Sequence, residues 1–326
     1  MITTTTDATT STPALLELGR ELAALGYAFT TVTPKTHERV NARSGNEIAR
    51  DLRDVLGWSR PFDPSVLPPR VFELLEAAGV LAPEGDLWRS TVRFSAYDGE
   101  LFVHSAFPTA APDSVFFGPD TYRLIDTALA CLADRQAPVR RAVDIGCGTG
   151  AGAIALAKRL PDAEVLAVDM NPAALRFTRI NAELAGARNV SPRHSDLLSD
   201  VPGRFDLIIA NPPFMIDPAG RAYRDGGGPE GNDLSLKIVD AAAERLQPGG
   251  SLALLSGTGI TGGHDPLRAA IAERIAGTGL EWTYRELDPD VYDEELDGDA
   301  YAHAERIAII ALTATRPGAS ASSGAS

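Results

Sequence analysis

Arg204-Phe205-Asp206-Leu207-Ile208-Ile209-Ala210-Asn211-Pro212-Pro213-Phe214 is the stretch on which the reading of this chain turns. Residues 204–209 hold a short apolar run of the kind that lies buried in a parallel sheet. Pro212 and Pro213 then stop the strand abruptly. Neither has an N–H for a ladder, and each steers the residue before it away from the helical region. The stop therefore falls at the carboxyl end of a strand, where open α/β sheets bind their ligands. The Asn211 side-chain carbonyl can accept a hydrogen bond from an NH2 group. The Pro212 carbonyl can accept a second, and Phe214 offers a flat face. Together they describe a holder for a planar amide or aromatic amine with its nitrogen aimed outward. The same residues also fit a plain Pro-Pro turn, and the upstream sequence separates the two readings.

Upstream, Arg141 to Ile145 reads as a strand that runs into Gly146-Cys147-Gly148-Thr149-Gly150 and then the Ala-rich helix 151–160. Glycine at such a junction lets the backbone approach a ligand and adopt positive φ. Dinucleotide enzymes use a similar turn, so the glycines alone leave the ligand open. Three acids narrow it. Asp144 opens the motif, where it can accept from an ammonium group. Asp169 ends the next strand, 164–168, where a carboxylate can accept both ribose hydroxyls. Asp196 follows a short strand near 189–193 and can take an adenine amino group. Any one of them alone also fits a helix N-cap or a solvated loop. Acids at three successive strand ends, with Asn211 at the fourth, call for an ammonium, a ribose and an adenine without phosphate. That ligand is S-adenosylmethionine.

From residue 119 onward strands and helices alternate, the signature of an α/β domain. Helices are expected at 119–134, 172–185, 233–246 and 265–276, and further strands at 251–255, 280–287 and 306–313. The N-terminal part reads differently. Thr12-Pro13 starts an amphipathic helix 13–25. A second helix is expected at 45–57 with Ile48, Leu52, Val55 and Leu56 inward, and Pro68-Pro69 opens a third that ends at Gly79. Val92, Phe94 and Ala96 then alternate toward Leu101 and Val103 across Asp98-Gly99, a hairpin signal. Helices followed by a hairpin suggest a winged-helix-like module over 45–107. Such modules bind nucleic acid or pack over an active site; without a basic recognition helix, packing is the preferred reading. The expected organisation is a disordered tail 1–12, a helical and hairpin domain 13–110 for substrate recognition or as a lid, an α/β domain 111–316, and a disordered Ser/Gly/Ala-rich tail 317–326.

Composition bounds the partners. The net charge of -14 gives no basic stripe for an unaided nucleic-acid surface, and DNA is not expected as a partner. Cys131 and Cys147 are the only cysteines and show no metal-ligand spacing. No metal site and no disulfide framework are expected, and the cytoplasm is the default compartment. No apolar run approaches the ~20 residues of a membrane span, and the Thr-rich start lacks the features of a signal peptide. His194 reads as a surface histidine, and His104 and His303 have no partner at a readable spacing. Cys147 reads as a small packing residue. The run from Glu286 to Asp299, rich in Asp and Glu and free of Lys and Arg, reads as a solvated loop or part of a lid.

The ordered set Gly118-Pro119-Asp120-Thr121, Asp144 to Gly150, Val168-Asp169, Ser195-Asp196 and Asn211 to Phe214 resembles class I S-adenosylmethionine-dependent methyltransferases of the N-methylating branch. It looks like the HemK-type glutamine N5-methyltransferases and is similar to the small-domain methyltransferases that modify exocyclic amines of rRNA and DNA bases. The resemblance covers about residues 115–256. It implies a Rossmann-like seven-stranded sheet whose antiparallel last strand, 306–313, lies beside 280–287. It implies S-adenosylmethionine as cofactor, with contacts from Thr121, Asp144, Gly146, Gly148, Gly150, Asp169, Met170, Asp196, Leu197 and Asn211. Asn211, Pro212 and Phe214 are then the catalytic residues. Tyr223 to Gly227 with Gly231-Asn232-Asp233 resembles a Gly-rich loop that follows the Asn-Pro-Pro turn in HemK-like enzymes. Phe214 stands where glutamine methyltransferases commonly have Tyr; Phe is met more often in the rRNA guanine branch. The first 110 residues do not match the short helical domain of HemK proteins. The acceptor expected is a protein glutamine or an RNA base. A small-molecule nitrogen, and a catalytically silent binding module, remain the alternatives.

Overall fold

The computed structural model describes residues 8–318 apart from Gln136 and Ala222. Four helices come first: α1 (Ala8–Ala24), α2 (Pro34–Asn41), α3 (Leu52–Leu56) and α4 (Pro69–Ala77). Two hairpins follow, β1 (Leu81–Glu84) with β2 (Leu87–Ser90) and β3 (Val92–Tyr97) with β4 (Glu100–Ser105). Then come α5 (Pro119–Ala133), β5 (Arg141–Ile145), α6 (Ala151–Arg159), β6 (Glu164–Asp169), α7 (Pro172–Leu184), β7 (Val190–His194) and β8 (Phe205–Ala210). The remainder is α8 (Asp233–Arg245), β9 (Leu246–Ile260), α9 (Pro266–Ile275), β10 (Glu281–Asp288) and β11 (Arg306–Thr315). Helix α1 starts before the expected residue 13. Residues 1–7 and 319–326 of the two expected tails lie outside the described residues.

The expected helix 45–57 contracts to α3. Asp51 caps it, its carboxylate accepting the Asp54 N–H at 2.8 Å, so the helix cannot extend further upstream. Ile48 consequently lies outside it and is 49% exposed instead of inward. The β3–β4 hairpin turns where expected, with Asp98 and Gly99 both at positive φ as a tight turn of that hand requires.

The seven-stranded sheet has the order β10-β11-β9-β8-β5-β6-β7. Strands β5 to β9 run parallel, and β11 is antiparallel to both of its neighbours. Residues 207–210 of β8 are all fully buried, because helices cover both faces of the sheet. Alternate residues feed two cores: Leu207 and Ile209 pack toward α5 and α6, Ile208 and Ala210 toward α8 and α9. The chain leaves β5 for β6 on one side and returns to pair β8 on the other. That reversal opens a crevice beyond the carboxyl ends of β5 and β8.

The N-terminal module shares a core with α7. Leu18, Leu75, Phe94 and Val103 pack with Phe177 and Ile180. Buried Asn181 of α7 fixes this contact: its Oδ1 accepts the Val103 N–H at 2.8 Å, and its Nδ2 donates to the Val103 and Thr149 carbonyls at 3.1 and 2.9 Å. Strand β4 and the glycine turn after β5 are thus held by one side chain. His104, expected to lack a partner, is fully buried with Nε2 2.7 Å from Ser95 Oγ. The two meet diagonally across the β3–β4 hairpin, a proximity that sequence spacing does not display. Burial, reinforced by the nearby Arg93 guanidinium, holds this imidazole well below its usual pKa. No helix of the described residues is long and apolar enough to cross a membrane.

Candidate active site

A cleft of about 750 Å³ opens at the carboxyl ends of β5, β6 and β8. Every expected site residue lines it except Gly150. Asp144, the last residue but one of β5, is almost wholly buried. One carboxylate oxygen accepts the Ala153 N–H at 2.9 Å from the first turn of α6. The other, Oδ1, is buried without a partner among the described residues. The approach of Asp144 to α6 requires a bare backbone at Gly152, where a Cβ would sit 2.8 Å from Asp144 Oδ2.

The glycines of the turn divide by role. Gly146 and Gly148 adopt positive φ, and a Cβ on either would meet nothing closer than 4.0 Å. Their bare backbone faces open cleft. Gly150 also has positive φ, yet its Cβ would collide with Thr178 at 2.6 Å. It allows α6 to pack on α7 and stands away from the cleft. Cys147 is buried with its sulfur 3.5 Å from Thr178 Oγ1, and burial pushes the thiol pKa well up, which disarms it as a nucleophile.

Asp169 ends β6 with Oδ1 accepting the Asn171 N–H at 2.8 Å and Oδ2 accepting the Gly148 N–H at 2.9 Å. Each oxygen keeps a lone pair for a hydroxyl donor. Burial raises this carboxyl above its ordinary pKa. Asp196 lies after β7, exposed at the cleft rim beside Leu197, which has a left-handed backbone. His194 is exposed, as expected.

Asn211 follows β8, and its Oδ1 is the second buried oxygen in the cleft without a partner. Phe214 is buried against β9 at Gly257, where a Cβ would lie 2.5 Å from the ring. Gly257 was not recognised from sequence; a glycine within a strand signals close approach of another group, and here that group is Phe214. The loop after Pro213 folds back on the turn. Met215 N–H donates to the Arg224 carbonyl at 3.0 Å, and Gly226 N–H donates to the Met215 carbonyl at 3.0 Å. Tyr223 then spans the cleft mouth, its hydroxyl donating to the Thr109 carbonyl at 2.7 Å. Asp120 and Tyr292 also line the cleft, and sequence spacing alone gave no sign that Tyr292 would reach it.

Residues 122–261 match the family model of the methyltransferase small domain. A release factor glutamine methyltransferase from Bordetella pertussis is 36% identical over 191 residues, covering 51% of this chain and 70% of that protein. Its counterpart from Cereibacter sphaeroides is 30% identical over 236 residues, covering 66% of this chain and 81% of that one. The chain belongs to the release factor glutamine methyltransferase family. Against the Geobacter sulfurreducens member, identity rises to 40% over 153 residues, which are 43% of this chain and 52% of the relative. The chain thus spans about half the length of the first curated relatives it matches.

The cofactor of this methyltransferase family, S-adenosylmethionine, fits the donor set. Asp144 Oδ1 is a buried acceptor that could take an ammonium, Asp169 is anchored with a lone pair on each oxygen that could take ribose hydroxyls, and a Cβ at Gly146 or Gly148 would meet open space. This arrangement carries a pH signature. Burial pushes the Asp144 carboxyl up to about 7. An acid whose folded pKa is raised stays protonated to higher pH, so this group lowers folded stability as pH rises from the ordinary carboxylate range toward 7. A bound ammonium requires the carboxylate. Affinity for S-adenosylmethionine should therefore weaken as pH falls through 7, approaching about tenfold per unit. Calorimetry in buffers of different ionisation enthalpy should register proton release on binding near pH 7, and Asp144→Asn should abolish it.

Proposed function

We propose that this chain transfers a methyl group from S-adenosylmethionine to the side-chain amide nitrogen of a protein glutamine. The names of its relatives point to a release factor as the substrate. The observation that carries the reading is the buried, unpartnered Asn211 Oδ1 beside Phe214 in the cofactor cleft.

An amide is a poor nucleophile because its lone pair is delocalised. Asn211 Oδ1 accepts one N–H of the acceptor and the Pro212 carbonyl accepts the other. With both protons held in fixed directions, the nitrogen lone pair faces into the cleft. Phe214 stacks on the flat amide and limits its rotation. S-adenosylmethionine supplies, when bound, an electrophilic methyl carbon on a sulfonium. The chain contributes orientation and preorganised dipoles, which need no strong base: as the nitrogen–carbon bond forms and the carbon–sulfur bond breaks, the acceptor nitrogen becomes positively charged and gives its surplus proton to water. The cytoplasmic compartment goes with this reading and with two unpaired, buried cysteines.

A second reading, an exocyclic amine of an RNA base, is favoured by Phe214 in place of the tyrosine common in glutamine methyltransferases. The net charge of -14 weighs against it. Labelled methyl transfer into purified release factor, total RNA and small metabolites separates these readings. Label in the release factor that is lost in Asn211→Ala supports the proposal. Label confined to RNA or to metabolites, or label nowhere, overturns it.

A further inference from the structure

The run from Glu286 to Asp299, which ends β10 and begins its connection to β11, reads from sequence as a solvated acidic loop or part of a lid, and the structure ties it and the residues up to Tyr301 down around the Asn211 turn. Arg123 of α5 pairs with Asp288 at 2.7 Å and with Asp120 at 3.0 Å. Tyr292 donates its hydroxyl to the buried Asp120 carboxylate. Arg224, from the loop after Pro213, pairs with Glu295. Tyr301 is buried, and its hydroxyl accepts the Ile216 N–H at 2.9 Å. The segment therefore clamps the start of α5 to the loop that follows the Asn-Pro-Pro-Phe turn.

Within it, Tyr292 occupies a singular place. Its backbone is left-handed, at φ 56° and ψ 43°. A residue with a Cβ holds that conformation where its surroundings fix it, and such residues gather at functional sites. Its ring lines the cleft with Asn211, 6.2 Å from the Phe214 ring and tilted 54° to it. A flat group laid parallel to the Phe214 ring would lie at that same tilt to the Tyr292 ring, away from the face-to-face sandwich that aromatic quadrupoles disfavour. The hydroxyl is already engaged by Asp120, and burial raises the phenol's pKa well above its usual value. The side chain is thereby a fixed wall and a poor proton carrier.

We propose that Tyr292 is a specificity-determining residue of the acceptor site, its ring forming with Phe214 an aromatic slot that selects a flat, uncharged amide or amine. The inference rests on the reading of Asn211 as the holder of the acceptor nitrogen.

The test uses the full chain with S-adenosylhomocysteine, and N-acetylglutamine methylamide as the probe. Saturation-transfer NMR reads the glutamine side-chain protons in wild type, Tyr292→Phe and Tyr292→Leu. Leucine fills much of the space without a flat ring, so a role in packing alone predicts equal signals from both variants. The slot predicts a signal largely kept in Tyr292→Phe and cut at least about threefold in Tyr292→Leu, with S-adenosylhomocysteine affinity unchanged in both. Equal signals from the two variants, or no signal from wild type, overturn it. With release factor as substrate, Tyr292→Leu should raise KM by about tenfold and change kcat less. A release factor left unlabelled by wild type counts against that protein as the substrate alone, because the glutamine probe still decides the slot.

Discussion

Replacing Asn211 with alanine is expected to lower kcat by roughly 10²–10³, equivalent to about 3–4 kcal/mol of transition-state stabilisation. The side chain offers an acceptor that none of the described residues uses, at the end of a strand whose residues 207–210 are fully buried. Such an oxygen is costly to leave unpaired, and a donor arriving with the substrate satisfies it. Truncation removes that acceptor and leaves the acceptor nitrogen free to rotate. Asp144, Asp169 and the glycine cradle are untouched, so S-adenosylmethionine affinity measured by calorimetry should change little. A loss below fivefold on the true substrate would remove Asn211 from the catalytic role.

Gly226→Ala is expected to be nearly as damaging, for a steric reason. A Cβ at this position would lie 1.7 Å from the Gly231 carbonyl oxygen and 2.7 Å from the Pro213 carbonyl oxygen. Both obstacles are backbone, so neither can rotate away. The loop must shift, and with it the hydrogen bonds through Met215 that hold the turn carrying Asn211 and Phe214. Forced overpacking of this kind costs about 1–3 kcal/mol, and displacing a catalytic group by an ångström costs about 10²-fold in rate. The prediction is a roughly 10²-fold fall in kcat with a lowered Tm. Gly298→Ala serves as the control: its Cβ would meet only the Glu295 carbonyl oxygen, at 3.4 Å, and both quantities should hold.

The parts of this fold that were legible in the sequence are those whose cause is local. Apolar runs that end in Asp or Asn mark β5, β6 and β8 to within a residue or two, because parallel strands covered on both faces need continuous apolar sequence. Strand β9 shows where that signal stops. It was expected to end at Leu255 but runs to Ile260, because the small polar residues Ser256 and Thr258 are buried in it. Ser256 satisfies its hydroxyl with Ser235 of α8 at 2.8 Å, a partner no local pattern announces. The same holds for His104 with Ser95, for Phe214 with Gly257 and for Tyr292 with Asp120. In each case the partner is set by topology. Asp144, Asp169 and Asn211 were readable because strand ends converge on one edge whatever the loops do. The roof above them was not, since it comes from the segment between β10 and β11.

The place of β11 in the sheet has a consequence for the newly made protein. Its neighbours β9 and β10 both precede it in the chain, and β10, at the sheet edge, pairs with no other strand among the described residues. A nascent polypeptide that has reached Asp299 on the ribosome already contains every expected cofactor and acceptor residue. It still lacks the strand that must slide between β9 and β10, and Tyr292 is tethered beyond an edge with nothing to bind. The segment that carries Tyr292 can therefore settle over the cleft only once β11 has emerged and paired, which puts the closing of the acceptor site after the making of its floor.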